Sequence, residues 1–120
     1  MTTTVKPFDV YGNTQSLDEP ILDVVATRLE SRGKHPTFQR MLHEYLDFMN
    51  IDEVQSVLDL GCGTGFAARE IARRPEFKGK VVGIDISPQL IEHASKFAND
   101  EGVSSRVEFR VGDSRSLDLE

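Results

Sequence analysis

Apolar positions fall along the chain in two rhythms, one helical and one nearly continuous. After Pro20, Ile21, Leu22, Val24, Val25 and Leu29 lie on one broad helical face. Ser16-Leu17-Asp18-Glu19 fits a capping box ahead of them, with Ser16 as N-cap and Glu19 three residues on. Pro20 sits in the first turn, where its missing N–H costs little, and Gly33 is the expected stop. A second helix is expected after Thr37. There Phe38, Met41, Leu42, Tyr45, Leu46 and Met49 recur at i, i+3, i+4, i+7, i+8 and i+11, with Arg40, His43, Glu44 and Asp47 opposite. The pair reads as a layer covering one side of a sheet; a lid closing over a ligand is the sharper alternative.

From Val54 the rhythm changes. Val54 to Leu60 is almost continuously apolar, which predicts a parallel strand buried on both faces at the centre of a sheet. It runs into Gly61-Cys62-Gly63-Thr64-Gly65, a sharp turn that leads to a helix over Phe66–Arg74. That helix places Phe66, Ala67, Ile71 and Ala72 inward, and Pro75 ends it. Lys80 to Ile86 is a second apolar strand. Ser87 and Pro88 then supply an N-cap and a first-turn proline. Leu90, Ile91, Ala94, Phe97 and Ala98 form the inward face of the next helix, which Gly102 stops. Arg106 to Val111 alternates strictly, as an edge strand does. Strands alternating with helices imply an α/β fold with parallel pairing and right-handed crossovers. The expected division is an arm and helical cap over 1–53 and a ligand-binding sheet over 54–120.

Composition narrows the partners. The chain has 120 residues, 38% apolar and 28% charged, enough for at most one domain. Its formal net charge of −6 argues against a general nucleic-acid or anionic-membrane binder, because phosphate contacts need a basic surface. No run approaches the ~20 apolar residues of a membrane span, and the first residues hold no apolar leader segment. Cys62 is the only cysteine and cannot form an internal disulfide, which fits a reducing, cytoplasmic setting. Residues 1–15 read as a loose arm anchored by Phe8 and Tyr11. His35 and His43 lack metal-ligand spacing, so no metal site is expected. His93, on the Pro88 helix, is expected to face solvent.

Parallel sheets bind ligands beyond the carboxyl ends of their strands. Three strands here each deliver one carboxylate to that edge: Asp59 with the glycine turn, Asp85 and Asp113. A dinucleotide fits poorly. Its G-x-G-x-x-G fingerprint needs a glycine where Phe66 stands, and Asp59 would repel a pyrophosphate. A phosphate-free ligand with ribose, adenine and cationic groups fits better. Asp59 then sits beside positive charge, Asp85 accepts from the ribose hydroxyls and Asp113 from the adenine amino group. Ile86 and Leu90 supply an apolar wall.

At these residues the chain resembles a known family. Val57-Leu58-Asp59-Leu60-Gly61-Cys62-Gly63-Thr64-Gly65 is similar to motif I of class I S-adenosylmethionine-dependent methyltransferases. Val82-Gly83-Ile84-Asp85-Ile86-Ser87 resembles the ribose-binding segment, and Val111-Gly112-Asp113-Ser114 the adenine-binding segment. The resemblance runs from Val54 to Leu119. It implies a Rossmann-like parallel sheet, of which this chain holds the first three strands of seven, preceded by two cap helices. It also implies that Asp59 and the loop of Gly61, Cys62, Gly63 and Gly65 hold the methionine moiety. Asp85 would take the ribose, and Asp113 with Ser114 the adenine, whose ring has Ile86 as apolar wall. The leading helices are similar to those of small-molecule members, the quinone-biosynthesis and sterol types among them, which implies a small-molecule acceptor. In the family a further strand pairs with the far side of the first. The expectation is therefore the N-terminal part of a longer methyltransferase, with the first strand left as an edge. A non-catalytic subunit that keeps the cofactor fold and a nicotinamide-dependent oxidoreductase are the alternatives. No general base is assigned, since transfer from a sulfonium releases a neutral leaving group and gains from positioning.

Overall fold

The apolar runs form a parallel sheet whose three carboxyl ends lie level. The computed structural model describes residues 18–117, so Phe8, Tyr11 and the Ser16 cap lie outside the described residues. The elements run α1 (Glu19–Lys34), α2 (Pro36–Phe48), a 3₁₀ turn (Ile51–Glu53), β1 (Ser56–Leu60), α3 (Phe66–Arg73), β2 (Lys80–Asp85), α4 (Pro88–Asp100) and β3 (Val107–Val111). The sheet order is β1-β2-β3, parallel throughout. Leu60 pairs with Ile84 and Asp85 with Val111. Chemistry arriving at the end of one strand therefore meets that of the next. No helix among the described residues is long and apolar enough to cross a membrane.

β2 holds the centre, with Val81, Gly83, Ile84 and Asp85 buried. β3 is an edge, as its alternation predicts. β1 is the other edge, as the resemblance to the first three strands of seven implies, and the burial on both faces that its apolar run predicts does not occur. Leu58 and Leu60 are 42% and 49% exposed, while Val57 and Asp59 are half-buried. The physical reason is that β1 is paired on one side only. The main core lies where α3 and α4 meet the sheet, around Phe77, Val81, Ala68 and Ala98, with Leu46 and Ile51 closing it. A second cluster seats α1 on α4 through Leu22, Val25, Ala26 and Leu90.

The cap helices also differ in detail. Asp18 is the N-cap of α1, without a side-chain bond. Gly33 does not stop that helix, which runs on to Lys34. A Cβ on Gly33 would fall 2.5 Å from Cγ of Phe66, so the residue is there to let that ring approach. The break comes at His35, whose Nδ1 accepts the Thr37 amide at 3.2 Å and caps α2. The amphipathic face of α2 is only partly used. Leu42 and Leu46 pack on the core, whereas Met41 and Tyr45 are 58% and 62% exposed. Ser87 caps α4 as its sequence predicts, accepting the Leu90 amide at 3.2 Å. Inward-facing Phe109 of β3 lies against Gly83 and Gly65. A Cβ on Gly83 would come within 2.6 Å of its ring, and one on Gly65 would overlap it.

Candidate functional site

The glycine turn after β1 can form only with unusual dihedrals. Gly61, Gly63 and Gly65 take φ of 68°, 57° and 76°, values that side-chain-bearing residues rarely adopt. Gly65 is the N-cap of α3, so the loop delivers the chain directly into the helix. Backbone bonds fasten the turn to the sheet. The Cys62 N–H donates to the Ile84 carbonyl and the Gly112 N–H to the Asp85 carbonyl, both at 3.0 Å. The loops after β1 and β3 are thereby stitched to the end of β2.

Asp85 is buried and organises this junction. Its Oδ2 accepts the Gly63 amide at 2.9 Å and its Oδ1 the Ser87 amide at 3.0 Å. Each oxygen keeps a further lone pair. Asp59, one residue before the end of β1, is in the opposite condition. Among the described residues nothing hydrogen-bonds its carboxylate. Burial raises its pKa above the ordinary carboxylate range, and the charge of Asp85 raises it further. The Cys62 thiol is half-buried, and burial, then Asp59 and Asp85, push its pKa far up. It is a poor nucleophile in this setting. Ile86 is half-buried directly after Asp85.

Asp113 and Ser114 lie in the loop after β3, with Asp113 two residues beyond Val111, the partner of Asp85. Both Asp113 oxygens face Arg115, with the shortest contact 2.6 Å, and Oδ1 also accepts the Arg115 amide at 2.9 Å. The Arg115 hydrogen bonds hold its pKa down to about 2. Ser114 is exposed. The sheet thus brings the glycine loop, Asp59 and Asp85 into direct association, while Asp113 stands at the same edge engaged with its neighbour.

A cavity of about 180 Å³ opens between the cap helices and the glycine loop. Leu29, Arg32 and Phe38 line it from the cap; Asp59, Gly61, Cys62 and Thr64 line it from the sheet. Gly61 has open space where a Cβ would be. The volume is below the ~300–1,000 Å³ of pockets that enclose a drug-sized ligand. It suits one arm of an extended molecule lying along the strand ends. Among the described residues no group of three or more His, Cys, Asp or Glu is placed to hold a metal ion.

Sequence reasoning missed a charged cluster behind the loop. Arg69 of α3 is fully buried, and Glu30 of α1 and Thr64 are buried beside it. The available signal was a pair of opposite charges on inward helix faces: Arg69 follows Phe66 by three, and Glu30 follows Ala26 by four. The histidines too have partners. His43 lies 2.8 Å from Glu70 and 3.0 Å from Arg74, and His93 reaches Asp23 of α1 at 3.0 Å instead of facing solvent alone.

Comparison with known proteins agrees with the fold. Residues 51–120 match the family model described as a methyltransferase domain. Over 87 residues the chain is 38% identical to a ribosomal protein L11 methyltransferase of Haemophilus influenzae, a match covering 72% of this chain and 28% of that one. Over 65 residues it is 42% identical to a sterol 24-C-methyltransferase of Aspergillus fumigatus, covering 54% and 17%. Among solved structures it resembles an RNA methyltransferase from Salinibacter ruber in complex with S-adenosyl-L-homocysteine. There the TM-score is 0.62 and the identity 35%, over 71% of this chain and 54% of the other. The chain spans little more than a quarter of the length of the ribosomal protein L11 methyltransferases it matches. One expectation is overturned. A small-molecule acceptor does not stand, because those relatives carry the name of a protein acceptor.

Proposed function

The chain belongs to the methyltransferase-domain family, and from that premise we propose that it binds S-adenosyl-L-methionine and serves as the donor-binding part of a methyltransferase. The division into a cap over 1–53 and a cofactor-binding part over 54–120 belongs to the same proposal. The observation that carries it is the convergence of Asp59, the glycine loop, Asp85 and Asp113 at one edge of the sheet.

The residues fit such a cofactor. Asp59 is a half-buried carboxylate, without a hydrogen-bond partner among the described residues, that lines the small cavity. A cationic amino group beside it would favour its ionised form, since an opposite charge lowers a carboxylate pKa. Gly61 leaves room for close approach. Asp85, held rigid by two backbone amides, keeps a lone pair on each oxygen for ribose hydroxyls. Ile86 offers apolar surface, and Asp113 with Ser114 forms the adenine side. When bound, the cofactor supplies an electrophilic methyl group on a sulfonium. The chain's own contribution is binding and orientation, and it needs no charged nucleophile of its own. Cys62, with its raised pKa, stays a neutral wall. The acceptor named by the ribosomal protein L11 relatives is a protein, for a reaction that this edge would serve as donor site. A cytoplasmic setting is consistent with those bacterial relatives.

Calorimetry with S-adenosyl-L-homocysteine and with NAD tests the reading. Saturable binding of the first and none of the second is expected. Asp85→Ala should weaken binding by about 1.5–3 kcal/mol, the worth of hydrogen bonds to a charged group. Asp85→Asn, which keeps one acceptor oxygen, should lose less. An unchanged dissociation constant in Asp85→Ala would reject the ribose assignment, and preference for NAD would reject the function. Radiolabelled methyl transfer sorted into protein, RNA and lipid fractions tests the acceptor.

A further inference from the structure

The glycine loop is fastened on two sides, and only one side belongs to the sheet. On the sheet side Asp85 accepts the Gly63 amide. On the cap side the Thr64 hydroxyl donates to Oε1 of Glu30 in α1 at 2.7 Å. Glu30 is itself held by the Nη2 of Arg69. The other end of the same guanidinium, Nη1, donates to both oxygens of Glu101 beyond α4, at 2.8 and 2.7 Å. Arg69 is 0% exposed and Thr64 1%. The guanidinium carbon lies 4.8 Å from the Phe97 ring centre and 5.6 Å from that of Phe66.

A charge so buried persists only where partners meet it from several directions. Arg69 has carboxylates from two different helices' neighbourhoods and rings from two more positions. Its Nε has no partner among the described residues, so the site is built around the two Nη groups. The result is a chain of contacts from Glu101 through Arg69 and Glu30 to Thr64. None of its four members is among the cofactor residues named above, and only Thr64 lies within the loop.

We propose that Arg69 is a positioning residue for the cofactor loop, acting through Glu30 on the hydroxyl of Thr64. The proposal rests on the cofactor reading above. The loop then keeps its three left-handed glycines in binding geometry before any ligand arrives, and α1 becomes part of the binding apparatus although it supplies little of the edge. Pre-ordering a loop raises affinity by removing the ordering cost from the binding step.

The intact protein and four variants test this. Thr64→Val should weaken S-adenosyl-L-homocysteine binding about tenfold, as removal of one hydrogen bond to a charged group can, and Thr64→Ser should restore it. Hydrogen exchange of the loop amides from Gly61 to Gly65, measured without ligand, should quicken in Thr64→Val and in Arg69→Lys, because one ammonium cannot fork to two carboxylates. The double variant Arg69→Lys, Thr64→Val should bind no more weakly than Thr64→Val, since both act through one contact. Additive losses, or a Thr64→Val protein with unchanged affinity and unchanged loop exchange, would overturn the proposal. If the wild type fails to bind the probe, the cofactor reading falls. The ligand-free exchange still decides the positioning: faster in both variants supports it, unchanged defeats it.

Discussion

β1 and β2 are neighbouring strands with almost the same apolar sequence and opposite fates. In β2 every residue from Val81 to Asp85 except Val82 is buried, and its terminal carboxylate is met by two amides. In β1 no residue is fully buried, Leu58 and Leu60 stand exposed, and Asp59 has no hydrogen-bond partner among the described residues. The difference is a matter of neighbours. A strand paired on both sides and covered on both faces keeps its apolar residues dry; the same residues at an edge do not. It also separates two roles for one kind of residue. Asp85 is structural as well as available to a ligand, whereas Asp59 is left wanting a partner.

Substitutions at matched positions sharpen this contrast. The largest effect is expected from Ile84→Ala in β2, about 2–5 kcal/mol of stability lost, as for other buried aliphatic truncations; urea unfolding measures it. A value near zero would mean that β2 is not the centre of the folded sheet. Next comes Asp59→Asn, which should stabilise the protein at neutral pH. Burial raises the folded pKa of Asp59 above the unfolded value, so its ionisation opposes folding. The Asp59 contribution to wild-type stability should therefore fall as pH rises from the unfolded value near ~3.9 through the folded one. The gain from asparagine should be full above that window and vanish below it. Unfolding midpoints at neutral pH and at about pH 3.5 compare the two; an equal gain at both would defeat the prediction. The same substitution should weaken cofactor binding.

Leu60→Ala, the edge counterpart of Ile84→Ala in the strand register, should change stability within about 0.5 kcal/mol, as exposed sites do. A loss comparable to that of Ile84 would show that something covers β1 in solution. The smallest effect belongs to Asp113. Its pKa of about 2 is set by Arg115, so its contribution is present above the unfolded carboxylate value and lost as pH falls toward about 2. Arg115→Ala should raise the Asp113 titration, followed by NMR, part of the way to the ordinary range, since the residue-115 amide still donates to Oδ1, with little change in unfolding because the pair is exposed.

Local features were legible in the sequence, and contacts across the fold were not. Ser87-Pro88 starts α4 because capping is decided within three residues. The glycines at 61, 63 and 65 mark the turn because their backbone dihedrals exclude other residues. The three strand-end aspartates follow from alternating strands and helices. By contrast, Gly33 reads as a helix stop until Phe66 is seen against it, 33 positions later in the chain. The apolar rows of β1 and α2 predict burial, but burial needs a partner surface, and no local pattern states whether one is present. Arg69 and Glu30 are each ordinary helical charges until α1 and α3 are brought together.

Phe109 carries a consequence for how this sequence can vary. Its ring occupies the space that methyl groups on Gly65 and Gly83 would need. The three positions therefore form one unit of substitution, spread over the loop, β2 and β3. A side chain at 83 becomes admissible only alongside a smaller residue at 109, while 65 stays barred by its backbone angle as well. Single changes within the trio should be harmful where a paired one is tolerated, so a drifting lineage would cross this region in a fixed order: the ring shrinks first, and only then does β2 gain a side chain.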